Sequence, residues 1–135
     1  MTRYEYSVIR YMPDRLRGEV VNIGILLFHE NRVDARILPD LRKAKAINPN
    51  VDLEELYKLP ETFAGMRPLQ TLQNIEAKFS LEFLMATLIV AGFPGIVLSQ
   101  RGWFTADGKQ EIERNITEIC ARLCEVPHLR ITDTR

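Results

Sequence analysis

Cysteine is scarce in this chain: two residues, Cys120 and Cys124, among 135. Two thiols at helical spacing cannot build a disulfide framework, which points to a reducing, cytoplasmic compartment. An excess of one charge is lacking as well. Eighteen Lys and Arg face 18 Asp and Glu, for a formal net charge of zero. That balance excludes a polyanion sleeve and leaves nucleic acid at most a local patch. No apolar run is long enough to span a membrane, and Met1 to Ser7 has no apolar signal core. Catalytic templates are missing too. There is no Gly-rich phosphate loop, no Gly-x-Ser-x-Gly elbow and no His-Glu-x-x-His helix. The two histidines, His29 and His128, have no suggestive neighbour. The expectation is a protein with no catalytic residues, no metal and no cofactor.

What is present suits one globular domain over residues 1–135, with a loose tail from 129 to 135. Hydrophobic residues make up 46%, and a chain of this length can bury roughly two-thirds of its unfolded surface. No repeat, low-complexity tract or Gly/Ser linker divides it.

The opening alternates, with Tyr4, Tyr6 and Val8 on one side and Arg3, Glu5 and Ser7 on the other. After the Pro13-Asp14…Gly18 loop, Val20 to Phe28 is apolar on both faces, as a central strand should be. Val33, Ala35 and Ile37 then alternate with Arg32, Asp34 and Arg36. Three strands on short connections make an antiparallel meander with the second in the middle and the first and third as edges. Asn50 or Asp52 can cap a short helix that stops near Pro60. Pro68, Leu69, Leu72, Ile75 and Phe79 fit a longer helix, and Leu81 to Phe93 a helix ending near Gly92. Ile96 to Ser99, extending toward Phe104, supplies a fourth strand. The last helix has Asp107 as its N-cap and an apolar stripe of Ile112, Ile116, Ile119, Cys120, Leu123 and Cys124. The fold class is therefore α+β: an antiparallel sheet of about four strands with about three helices mainly on one face.

Tyr6-Ser7-Val8-Ile9-Arg10-Tyr11-Met12-Pro13-Asp14 and Arg17-Gly18-Glu19-Val20-Val21-Asn22-Ile23-Gly24 carry a resemblance. The chain resembles the bacterial domain-of-unknown-function family 3037, which opens with a Tyr-Ser strand, a Pro-Asp turn, an Arg-Gly-Glu step and an Asn-x-Gly strand. The likeness extends to Leu41–Leu53 and to Arg101–Asp107. It implies no established activity. Some members resemble small companions encoded beside HipA-like kinases, which implies a protein partner, such a kinase or another toxin- or defence-type component among the candidates.

Arg10 shares the face of Tyr4, Tyr6 and Val8, where a guanidinium needs an anionic partner or solvent. Two readings follow. Arg10, Arg17 and Arg101 could line an anion or nucleotide site, phosphoester chemistry included, with Glu19 and Asn22 beside them. Otherwise Glu19 pairs with an arginine and Asn22 satisfies the loop, which only fixes the hairpin. Gly24, in the central strand, leaves room for a ring or helix residue to approach. Arg101-Gly102-Trp103 is either a binding lip or a turn whose tryptophan closes the core.

Arg42, Lys43 and Lys45 form a basic patch without interleaved aromatics, which reads as a solvated loop and not a nucleic-acid site. Cys120, Cys124 and His128 recur every four residues, but Pro127 interrupts them and no fourth ligand is evident. Glu76-Ala77-Lys78 resembles part of a nuclease acid–lysine pair, yet it falls on the expected helix and lacks a convincing metal-binding aspartate upstream. The expected function is a non-enzymatic interaction or regulatory module that binds a protein partner. Its candidate residues are Arg10, Arg17, Glu19, Asn22, Arg101 and Trp103, and homodimerisation through a sheet edge is open to it.

Overall fold

The computed structural model describes residues 1–67, 69–71 and 74–123, with 69–71 and 74–78 by backbone alone. Three strands open the chain: β1 (Thr2–Tyr11), β2 (Val21–Phe28) and β3 (Val33–Ile37). Three short helices follow, α1 (Arg42–Ile47), α2 (Leu53–Tyr57) and α3 (Leu59–Ala64), then the hairpin β4 (Leu69–Thr71) and β5 (Asn74–Lys78). Helix α4 (Leu81–Val90) leads to β6 (Ile96–Leu98), β7 (Gly102–Ala106) and α5 (Lys109–Leu123). The fold is α+β, with a main sheet in the order β3-β2-β1-β6 to which β7 is added beside β1.

The meander forms as its alternation requires, with β2 between β1 and β3. The first strand, however, is not an edge. Its ten residues give room for two short strands on the side away from β2: β6 pairs with Ile9–Tyr11 and β7 with Thr2–Tyr6, both antiparallel.

Both faces of the sheet are covered. Ser7, Ile9 and Tyr11 point to the face where α1–α4 pack, and Ile9, Tyr11, Leu26, Phe28, Phe63, Leu84 and Leu88 share one core there. Tyr4 and Tyr6 point to the other face, with Ile25, Leu27, Phe104, Ala106 and the α5 residue Ile116. Four of the five described helices thus lie on one side and α5 lies on the other. Each fully buried Leu, Ile or Phe side chain stabilises the fold by roughly 1.5–3 kcal/mol.

The two cores meet in β2 through a register shift. Ile9 stands opposite Gly24 but Arg10 opposite Asn22, so Ile23 is an extra residue. A bulge re-aims its side chain, and Ile23 joins the same core as Leu26. Gly24 is needed for a different reason from the one expected. The atoms nearest to it are neighbouring-strand backbone: a Cβ there would overlap the Arg36 carbonyl and press on the Ile37 Cα.

Several local expectations hold and others are corrected. Asp52 caps α2, its Oδ1 accepting from the Glu54 and Glu55 amides at 3.0 and 3.4 Å. α2 stops at Tyr57, near Pro60 as expected, and Pro60 itself lies in the first turn of a further short helix, α3, where its missing N–H costs nothing. Arg42, Lys43 and Lys45 lie in α1 and not in a loop, because Leu41 and Ala44 are buried and give the segment an inward side. The helix expected over 68–79 is replaced by the β4–β5 hairpin. In that stretch Ile75, Ala77 and Phe79 alternate with Asn74, Glu76 and Lys78, a period of two that competes with the helical spacing of the same leucines and isoleucine.

Ser80 caps α4 by accepting from the Phe83 amide at 3.0 Å, and α4 ends as expected before Gly92, whose φ is 96°. Asp107 is not the side-chain cap of α5. The helix begins at Lys109 after Gly108, whose φ is 90°, and Glu111 reaches back to accept from the Asp107 amide at 2.8 Å. Ile112, Ile116, Ile119, Cys120 and Leu123 form the expected packed stripe. Cys124, His128 and the expected loose tail lie outside the described residues. No helix among the described residues is long and apolar enough to cross a membrane.

Candidate functional site

The six candidate residues fall in three separate places. Arg10 is half-buried on the α5 face, as its alternation requires, and its Nε donates to Asn22 Oδ1 at 3.1 Å. The amide partner is present, but no carboxylate pairs with Arg10 among the described residues. Glu19 is taken by Arg17, 2.6 Å away in the exposed β1–β2 loop. That pair borders a hollow of about 240 Å³ with Pro13, Asp14, Ile47 and Asn48, to which Arg10, Asn22 and Arg101 contribute nothing. Asn22 borders a larger hollow of about 370 Å³, shared with Leu38, Asp40, Arg42, Lys43 and Leu123. Arg42 is already engaged there by Asp40 at 2.8 Å, a contact that holds the Asp40 carboxyl below its ordinary range.

Arg101 lies on the opposite face of the sheet. Its Nη1 donates to Glu5 Oε2 at 2.8 Å, its Nη2 donates to the Phe79 carbonyl, and its guanidinium lies 3.9 Å above the Phe28 ring. Arg10, Arg17 and Arg101 therefore pair off locally and do not converge on one cleft.

Trp103 stands beside this second cluster. The β1–β7 register sets Glu5 opposite Trp103 and Arg3 opposite Thr105, so these side chains share a face. Trp103 does not close the core. It is 59% exposed, and Arg3 stacks on its ring at 4.8 Å. Arg3 also stands 3.9 Å from Glu5. The result is a continuous strip of Trp103, Arg3, Glu5 and Arg101, backed by Phe28. An exposed cation–ring contact of this kind contributes about 0.5–1 kcal/mol, enough to orient the indole while leaving much of it open.

Gly102 makes the strip possible, because the Tyr6 ring occupies the space where its Cβ would be. Arg3 and Glu5 were missed as site residues by sequence reasoning. The alternation places them on one face, but only the pairing of β1 with β7 brings them beside Trp103.

A second network also escaped the sequence. Arg36 on β3 makes a bidentate contact with Glu113 on α5, Nη1 to Oε2 at 2.9 Å and Nη2 to Oε1 at 2.8 Å, and it also bonds Asp34. The Arg36 hydrogen bonds hold the Glu113 carboxyl below its ordinary range. Near the same strand ends, burial lowers the pKa of His29, and the positive charges of Arg32 and Arg36 lower it further. The Arg36–Glu113 contacts fasten α5 to the sheet.

No cluster of three or more His, Cys, Asp or Glu residues suited to a metal ion occurs among the described residues. Glu76 and Lys78 lie on β5 and not on a helix, which removes one objection to an acid–lysine pair. The other stands: the hairpin and the residues just before it supply no aspartate.

No curated protein and no solved structure matches the chain. A family match covers residues 6–88, from β1 into α4. It includes Arg10, Arg17, Glu19 and Asn22, whereas Arg101 and Trp103 lie beyond it. More than half of the sequence is thereby matched, and the chain belongs to the family described as proteins of unknown function, DUF3037.

Proposed function

We propose that this protein is a non-enzymatic interaction module that binds a protein partner through the Trp103–Arg3 strip on β7. One observation carries the reading: an indole 59% exposed and held in place by a stacked guanidinium. Trp and Arg are the residues that most often anchor protein interfaces, because both desolvate a large flat area at small entropic cost. A zero net charge suits recognition by shape and ring contact better than by long-range attraction. The association carried by the family resemblance makes a HipA-like kinase the first partner to try, in a cytoplasmic setting.

The test is co-purification of the tagged full chain from its native host, with candidate kinases included as defined binding partners. Trp103→Ala is expected to lose the partner at least tenfold, a typical cost for an interface anchor. Arg10→Ala is expected to retain it. The rival reading, an anion or phosphoester site on Arg10, Arg17, Glu19, Asn22 and Arg101, makes a different demand. It requires nucleotides or phosphates to raise the melting temperature of the purified protein, and Arg10→Ala to abolish that rise. Turnover of a nucleotide or nucleic acid that depends on Arg10 or Glu19 would overturn the interaction reading.

A further inference from the structure

The outer side of β7 has backbone groups with no partner among the described residues, and their positions follow from the pairing of β1. The Val8 amide donates to Ser99 Oγ at 2.8 Å, and the Val8 carbonyl accepts from the Ser99 amide at 3.0 Å. Val8 therefore directs both backbone groups away from β2, toward the side where β6 and β7 lie. Backbone direction alternates along a strand, so Tyr6, Tyr4 and Thr2 do the same. Their register partners are Gly102, Phe104 and Ala106. These three β7 residues bond inward to β1, which leaves the N–H and C=O groups of Trp103 and Thr105 pointing outward.

An exposed strand edge is a template for pairing, and proteins usually blunt it with charge, proline or brevity. The far edge, β3, carries Asp34 and Arg36. β6 has only three residues. By contrast, β7 reads Gly-Trp-Phe-Thr-Ala, with no charge and no proline.

We propose that β7 pairs antiparallel with β7 of a second copy of this chain, across a two-fold axis at Phe104. The register is self-complementary. Trp103 of one copy stands opposite Thr105 of the other, and the reverse, so both outward-facing residues of each strand make hydrogen-bonded pairs. No charge on β7 meets a like charge across the axis, and a chain of zero net charge does not repel its copy. The two sheets become one, and both Trp103–Arg3 strips lie on the same face of it. The pairing is made by backbone and not by the indole, so it stands or falls separately from the partner reading.

Sedimentation equilibrium of the purified full chain, from micromolar to millimolar concentration, tests this. The mass is expected to rise from 15.6 kDa toward twice that value. Thr105→Pro removes one outward donor per copy at an edge position that tolerates proline, and is expected to weaken association by about tenfold or more. Thr105→Val keeps the donor and is expected to associate as the parent does. Amide exchange gives a second readout on the unaltered chain: the Trp103 and Thr105 amides should slow with rising concentration. A 15.6 kDa species at every concentration, undiminished association of Thr105→Pro, or concentration-independent exchange at both amides would overturn the pairing. A monomer that still captures its partner through Trp103 overturns the pairing alone. A dimer whose Trp103→Ala variant keeps every partner overturns only the partner reading.

Discussion

Single atoms decide how closely this sheet can be built. At Gly24 the missing Cβ leaves the space that the Arg36 carbonyl fills, and backbone cannot yield as a flexible side chain can. Gly24→Ala is expected to cost about 2–3 kcal/mol, at the upper end for overpacking, measured by urea denaturation. Ser7 is the converse case. Its hydroxyl is fully buried on the α1–α4 face, with no partner among the described residues. Removing a buried polar group that lacks a partner relieves a desolvation penalty, while the lost oxygen leaves only a small void. Ser7→Ala is therefore expected to leave stability unchanged or raise it by up to about 1 kcal/mol in the same titration. A clear loss would show that the hydroxyl is satisfied in solution.

The elements differ in how they are fastened. Helix α5 is alone on its face and is held by an apolar stripe and by the Arg36–Glu113 contact, whose side chains remain 39% and 43% exposed. Solvent screens such a pair, so its bidentate geometry is worth no more than about 1 kcal/mol. Arg36→Ala is expected to lower stability by about that amount, with the difference shrinking in high salt. Amide exchange in the first turns of α5 should quicken in the same variant.

The α5 stripe was readable because five apolar residues keep one period without interruption. The β4–β5 hairpin was not, because Leu69, Leu72, Ile75 and Phe79 satisfy a helical spacing while Ile75, Ala77 and Phe79 satisfy a strand. Over so few residues periodicity cannot arbitrate. The site was legible in part for a similar reason. Trp103 and Arg101 stood out by residue type, and Arg10 by breaking an alternation. Arg3, Glu5 and Arg36 became meaningful only through long-range pairings that no local pattern encodes.

At the scale of the whole molecule, acid acts with the same sign on His29, on Glu113 and on the exposed Asp40 carboxyl, whose pKa the Arg42 contact lowers. His29 has its pKa lowered from 6.5 by burial and by Arg32 and Arg36. The unfolded chain then takes up a proton near pH 6.5 that the folded chain refuses, so stability falls as the pH drops below that value, until the folded His29 also titrates. Glu113 has its pKa lowered from 4.5, first by its hydrogen bonds from Arg36. Its contribution is present above pH 4.5 and is lost as the pH falls toward the folded value. Melting temperature plotted against pH is expected to decline in two steps. His29→Phe should flatten the first, and Glu113→Gln should shrink the second, to which Asp40 also contributes.

Because β1 is enclosed by β2 on one side and by β6 and β7 on the other, its last neighbours are contributed by residues 96–106. A chain emerging from the ribosome can form the first hairpin early, yet must leave the other flank of β1 bare until those residues arrive. Pairings so distant in sequence close slowly, and in that interval the flank is open to any extended segment nearby. Completion of the sheet thus trails the first hairpin in biosynthesis, and a nascent chain halted before residue 96 would expose β1 to chaperones.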